Sequence, residues 1–110
     1  MFNRDLLERA WVVLMETARA RETISYSELA LSVGLPGRHR TIHRIVVTPI
    51  CALVCHRNGY PDLASLVVRK DTGVPGEGWW TSTGGNLILD LWRDELNAVF
   101  EFDWPDELPL

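Results

Sequence analysis

Between Ile24 and Gly34 the chain reads ISYSELALSVG, and this stretch leaves little choice of local structure. Ser25 followed by Glu28 is a reciprocal cap: the hydroxyl accepts from one free amide of a helix's first turn while the carboxylate accepts from another. Ile24 and Leu29 occupy the flanking apolar positions that set the angle of entry. Gly34 enters the left-handed region without a Cβ penalty, a common way for a helix to stop. These signals predict a helix over 26–33 and a turn over 34–37. The continuation, PGRHRTIHRIVV, puts Ile42, Ile45 and Val46 on one side of a second helix over 38–47. A short helix, a glycine-ended turn and an arginine-bearing helix follow the order of a helix-turn-helix.

The remaining elements have weaker punctuation. Leu7, Ala10, Trp11, Leu14 and Ala18 recur at helical spacing over 4–20, with Asn3 as cap. Pro49 lacks a backbone donor, which predicts a kink, or a restart with Thr48 as cap and Pro49 in the first turn. The segment ASLVVRK predicts a strand over 64–69, KDTG its turn, and the following glycines a tight return. Adjacent Trp79 and Trp80 on an extended segment point to opposite faces, so one closes the core and the other stays partly outside. Leu89, Trp92, Leu96 and Val99 mark an amphipathic helix over about 86–100. The expected class is helix-rich α+β: a helix-turn-helix-like front half, one short β-hairpin or small sheet, and a C-terminal amphipathic helix. With 110 residues the chain reads as a single domain, 1–110.

Charge divides the chain in two. Residues 1–57 hold eight arginines against five acids, giving +3, and residues 58–110 hold three basic residues against ten acids, giving −7. Between Pro36 and Arg57 stand four arginines, all three histidines and no acid. After residue 85 there are seven acids and only Arg93. No apolar run reaches the ~20 residues that span a bilayer, and the acid-bearing start carries no signal-peptide pattern. The expected setting is cytoplasmic with no membrane association. Cys51 and Cys55, four apart in a helical segment, point poorly for a disulfide, in keeping with a reducing compartment.

Several chemistries find no support. His39 with His43 and Cys51 with Cys55 are two ligand-like pairs, but His43 and Cys51 lie about 12 Å apart along one straight helix. A zinc ion would need Pro49 to fold the segment back, so no metal is expected, and no other cofactor. PGEG is followed by neither a lysine-serine pair nor a helix, which leaves a phosphate cradle unsupported. Asp71 and Glu77 are turn acids rather than a glycosidase pair. All three histidines crowd one basic segment, so no Ser-His-Asp grouping emerges.

Two resemblances add to this reading. ISYSELALSVG followed by VCHRNG resembles, over residues 24–59, the DNA-binding domain of alkylguanine-DNA alkyltransferases and their alkyltransferase-like relatives. That resemblance implies Cys55 as acceptor thiol, Tyr26 as the residue that helps rotate a base and His56 as a proton relay. The chain departs from the pattern at Val54, where the family has proline, and at Asn58, where it has valine. Over residues 24–80 the chain is similar to small proteins of prophages and mobile elements with a P-x-L-x-x-L-V-V-x-K-x-T-G-x-P-G-x-G stretch. Here that stretch runs from Pro61 through Lys70 to Gly78. It implies a setting rather than a mechanism.

The resulting expectation is a small non-enzymatic accessory protein that binds and inhibits or neutralises a protein partner, such as a basic nucleic-acid-handling protein. Its partner surface would comprise Trp79, Trp80, Asp103, Trp104, Asp106 and Glu107. The alternative is a helix-turn-helix nucleic-acid binder using Arg38, Arg40 and Arg44, with weak, salt-sensitive binding. A further alternative is an alkyltransferase-like protein using Cys55, whose apolar helical setting is expected to raise its thiol pKa and keep it inert.

Overall fold

The computed structural model describes residues 3–35, 39–75 and 89–110. It is helix-rich α+β with a two-stranded parallel sheet and a C-terminal helix. Helix α1 (Arg4–Arg19) starts where Asn3 accepts from the Leu6 amide at 3.2 Å. It buries Leu7, Ala10, Trp11, Leu14 and Ala18, as the spacing predicts, together with Leu6 and Met15. Arg21 closes it in the left-handed region at φ 56°, where the Glu22 amide reaches back to the Thr17 carbonyl at 3.1 Å.

Strand β1 (Ile24–Ser25) leads into helix α2 (Tyr26–Ser32), and the capping box forms as read. The Ser25 hydroxyl oxygen accepts from the Glu28 amide at 3.1 Å, and Glu28 Oε1 accepts from the Ser25 amide at 3.4 Å. Gly34 takes φ 81° and the Leu35 amide bonds the Ala30 carbonyl at 2.8 Å. Arg9 of α1 donates to the Val33 carbonyl at 3.0 Å, tying α1 to the end of α2.

Helix α3 covers 39–58 without interruption, longer than the sequence suggests. Within it, α-helical turns alternate with π-helical turns at His43–Val47 and Cys51–Cys55. The Thr48 amide bonds the His43 carbonyl and the His56 amide bonds the Cys51 carbonyl, five residues back in each case. The expected restart at Thr48 does not occur, because Thr48 itself is helical at φ −60°, ψ −48°. Pro49 lies in the first turn after a π-turn, where the widened helix accommodates the missing donor. The side-chain pattern fits this geometry: Ile42, Val46, Ile50 and Val54 are all buried at a spacing of four. A pure α-helix turns every 3.6 residues, so such a row drifts off the core unless wider turns correct it. Gly59, at φ 68°, ends the helix, and the Tyr60 amide bonds the Cys55 carbonyl at 2.9 Å.

A 3-10 turn (Leu63–Leu66) precedes strand β2 (Val67–Val68), a shorter strand than 64–69. It pairs in parallel with β1, Ile24 opposite Val67 and Ser25 opposite Val68. The KDTG turn forms with Gly73 at φ 71° and the Arg69 amide bonding the Val74 carbonyl at 2.8 Å. Helix α4 (Leu89–Glu101) then packs on the 3-10 turn and on α1. One hydrophobic cluster draws on the four helices, the 3-10 turn and β2, with Ile24 of β1 packed against it. The tryptophan indoles stitch it together: Trp92 donates to the Ser65 carbonyl (2.9 Å), Trp104 to Val99 (2.8 Å) and Trp11 to Pro105 (3.1 Å). No helix among the described residues is long and apolar enough to cross a membrane.

Candidate functional site

The basic segment becomes one face of α3. Arg44, Thr48, Ala52 and His56 are exposed at a spacing of four, and Arg57 is exposed beside them. The same alternation of turns that keeps the buried row on the core keeps this row straight in solvent. No carboxylate lies on the helix, since the chain has none between Pro36 and Arg57. Arg40 belongs to the helix by its backbone. Arg38, the first of the three sequence-derived arginines, lies outside the described residues. Under the face, the His43 ring lies 6.0 Å from that of buried Tyr26, which links α3 to α2. Thr48 Oγ1 is 3.4 Å from His43 Nδ1, so the row's central hydroxyl is oriented from within the same helix.

The acidic end is arranged differently. Asp103, Asp106 and Glu107 are exposed, as a partner surface requires. Trp104 is not: its side chain is 5% exposed, which corrects its assignment as an anchor. Its ring meets Trp11 edge-on at 5.8 Å, Tyr60 at 5.7 Å and Phe102 at 4.5 Å. An indole surrounded by aromatics with its N–H satisfied is the more stable arrangement, since T-shaped aromatic pairs add to area burial. Arg19 holds the tail from α1, donating to the Trp104 carbonyl at 3.1 Å and to Asp106 Oδ1 at 2.8 Å. Asp106 and Glu107, with Arg4, Glu8, Trp11 and Leu108, line an open groove of about 350 Å³ between α1 and the tail. Trp79 and Trp80 lie outside the described residues.

The two cysteines sit inside α3, facing the core. Cys55 is fully buried and Cys51 is 7% exposed. Cys51 Sγ donates to Asp62 Oδ1 at 3.1 Å. Its thiol is pushed well above the usual range by its hydrogen bond with Cys55, by burial and by the Asp62 carboxylate. The Cys55 thiol is instead lowered, chiefly by its hydrogen bond with Cys51. The expected upward shift therefore falls on Cys51 rather than on Cys55. Sequence reasoning missed Asp62 and Glu95, which converge here: Glu95 Oε1 accepts from the Asp62 amide at 2.8 Å. A separation of 33 residues gives no local signal for that contact. Tyr26, His56 and Cys55 do not form one open site, since Tyr26 and Cys55 are buried and His56 faces solvent. Among the described residues no three or more His, Cys, Asp or Glu side chains are grouped to hold a metal ion.

No protein-family model and no solved structure matches the chain. It is similar to a curated protein of Bradyrhizobium diazoefficiens (strain JCM 10833 / BCRC 13528 / IAM 13628 / NBRC 14792 / USDA 110). That protein is UDP-N-acetylglucosamine--N-acetylmuramyl-(pentapeptide) pyrophosphoryl-undecaprenol N-acetylglucosamine transferase. Identity is 33% over 78 residues, which cover 69% of this chain. The chain spans about a fifth of that protein's length, 19%.

Proposed function

We propose that the chain is a non-enzymatic nucleic-acid-binding module that docks α3 against a duplex. The observation that carries this reading is the straight exposed row of α3: Arg44, His56 and Arg57 with small Thr48 and Ala52 between them, and no acid on the helix. Short side chains let the helix approach a phosphate backbone closely, while the cations at either end supply the counterion-release term. The major groove, about 12 Å wide, admits one α-helix. Helix α2 and its glycine turn precede α3 as the first helix of a helix-turn-helix precedes the second. The similarity to an N-acetylglucosamine transferase touches about a fifth of that enzyme's length.

Fluorescence anisotropy with a labelled duplex tests the reading. Binding is expected at low salt, with a log–log salt slope no steeper than about −3.6 for four arginine contacts at about −0.9 each. Arg44→Ala should lower that slope by about 0.9. Absence of binding at low salt overturns the proposal.

A second reading rests on the opposite end. Asp103, Asp106 and Glu107 are exposed beside the α1–tail groove, a negative field suited to steering a basic protein partner. In that reading the protein is an inhibitor or immunity-type accessory factor of a mobile element, acting in the cytoplasm. Affinity purification from host lysate with and without nuclease separates the two: a partner retained after nuclease supports the acidic surface, and one lost supports the basic helix.

A further inference from the structure

Neither reading uses the buried pair Cys51 and Cys55. Both lie in the π-helical turn Cys51–Cys55, and Cys51 at the margin is the more accessible. Asp62 Oδ1 accepts from Cys51 Sγ at 3.1 Å and from the Ala64 amide at 2.9 Å. The Asp62 backbone is fixed in turn by its amide's bond to Glu95 Oε1 at 2.8 Å. The result is two thiols one turn apart with a held proton acceptor at one of them.

Spacing restricts what this pair can do. Helix side chains four apart have Cβ atoms about 5–6 Å from each other, whereas a disulfide needs about 3.5–4.5 Å. A direct S–S bond therefore demands compression of the turn. One bridging atom bonded to both sulfurs at roughly 2.3 Å, the length thiolate takes to zinc, spans sulfurs up to about 4.5 Å apart and leaves the helix unchanged. Charge then chooses the bridging atom. Two thiolates around a monovalent soft cation leave a negative charge buried beside Asp62, and uncompensated buried charge is costly. A zinc site wants four ligands, and no such group exists among the described residues. A neutral trivalent centre bonded to two sulfurs meets neither obstacle.

We propose that Cys51 and Cys55 form a dithiol site for trivalent arsenic, or antimony, taken up as the neutral hydroxide. Cys51, at the margin, attacks first, and Asp62 accepts its proton and returns it to the departing hydroxide. Cys55 closes the chelate in a second exchange, its thiol proton passing to the second departing hydroxide. Two As–S bonds replace two As–O bonds, each thiol proton leaves with a hydroxide as water, and no electron is transferred. The product is neutral, so Asp62 and Glu95 exert no repulsion on it. The site is independent of nucleic-acid binding and stands if that reading fails.

Phenylarsine oxide added to the reduced full-length chain, followed by native mass spectrometry, tests the proposal. The expected product is one phenylarsenic group per chain with loss of one water. It should survive excess 2-mercaptoethanol and be released by 2,3-dimercaptopropanol. Cys51→Ala and Cys55→Ala should each weaken retention about 10²–10⁴-fold, the advantage a second linked contact confers. Asp62→Asn should slow uptake without changing stoichiometry, and an unchanged rate removes Asp62 from the mechanism. Labelling that occurs only in urea, or a wild-type adduct washed out by 2-mercaptoethanol, overturns the site. Both of those comparisons use the unaltered chain, so they decide the matter even when a variant fails to fold.

Discussion

The exposed face of α3 and the C-terminal tail are the two charged regions of the molecule, and they are built by opposite means. On α3 the charge is local: one helix presents Arg44 and, about three turns further on, His56 and Arg57, with no acid among them. The tail has almost no regular structure after Glu101, and long-range contacts hold it. Trp104 is sunk between Trp11, Tyr60 and Phe102, its carbonyl accepts from Arg19, and the Pro105 carbonyl accepts from Trp11. The difference separates a surface that is free to meet a partner from one partly engaged by its own protein. Asp106 already has a cation, and Trp104 has no open face left.

The largest test of this contrast is Trp104→Ala. Removal of a buried aromatic should cost about 3–5 kcal/mol, measured by urea unfolding, and should release the tail to proteolysis. A loss below about 1 kcal/mol would mean that the tail is not pinned and would return Trp104 to the partner surface. Ser25→Ala attacks the front half instead. It removes the acceptor for the Glu28 amide and the donor to Glu28 Oε1, and should cost about 1–2 kcal/mol. Nucleic-acid affinity at low salt should fall only through that loss of folded protein, because the α3 face is unaltered.

Arg21→Gly sharpens the picture in the stabilising direction. A side chain at φ 56° bears a left-handed penalty that glycine avoids, so the change should add about 1 kcal/mol. The smallest effect expected is that of Asp106→Asn. Arg19 and Asp106 are 2.8 Å apart but largely solvated, and an exposed pair is worth about 0–0.5 kcal/mol after screening. A melting temperature that falls by several degrees would show the ion pair, rather than Trp104, to be the clasp of the tail.

Much of the front half is legible because its signals are short-range. Ser25 and Glu28 meet within one turn, and Gly34 acts on the residues just before it. The two π-turns of α3 also left a trace in the chain, the burial row Ile42, Val46, Ile50 and Val54, whose strict spacing of four is wider than the 3.6-residue turn of a pure α-helix. Pro49 concealed it, since a proline reads as an interruption when only the α-helical ladder is considered. The thiol–carboxylate group was legible only in part: Cys51 and Cys55 announce themselves as a pair, while Asp62 and Glu95 come from other elements.

The sequence by itself determined where α1, α2 and the KDTG turn begin or end, and that positive charge concentrates in one helix. Those outcomes depend on caps, glycine conformations and residue types that act within a few positions of one another. Tertiary structure alone decided that Ile24–Ser25 pairs in parallel with Val67–Val68, that Trp104 turns inward and that Glu95 reaches the Asp62 amide. Each joins segments far apart in the chain, and many partners satisfy the same local pattern. The choice among them falls to the shared core, where burying an indole with its N–H satisfied outweighs leaving it in water.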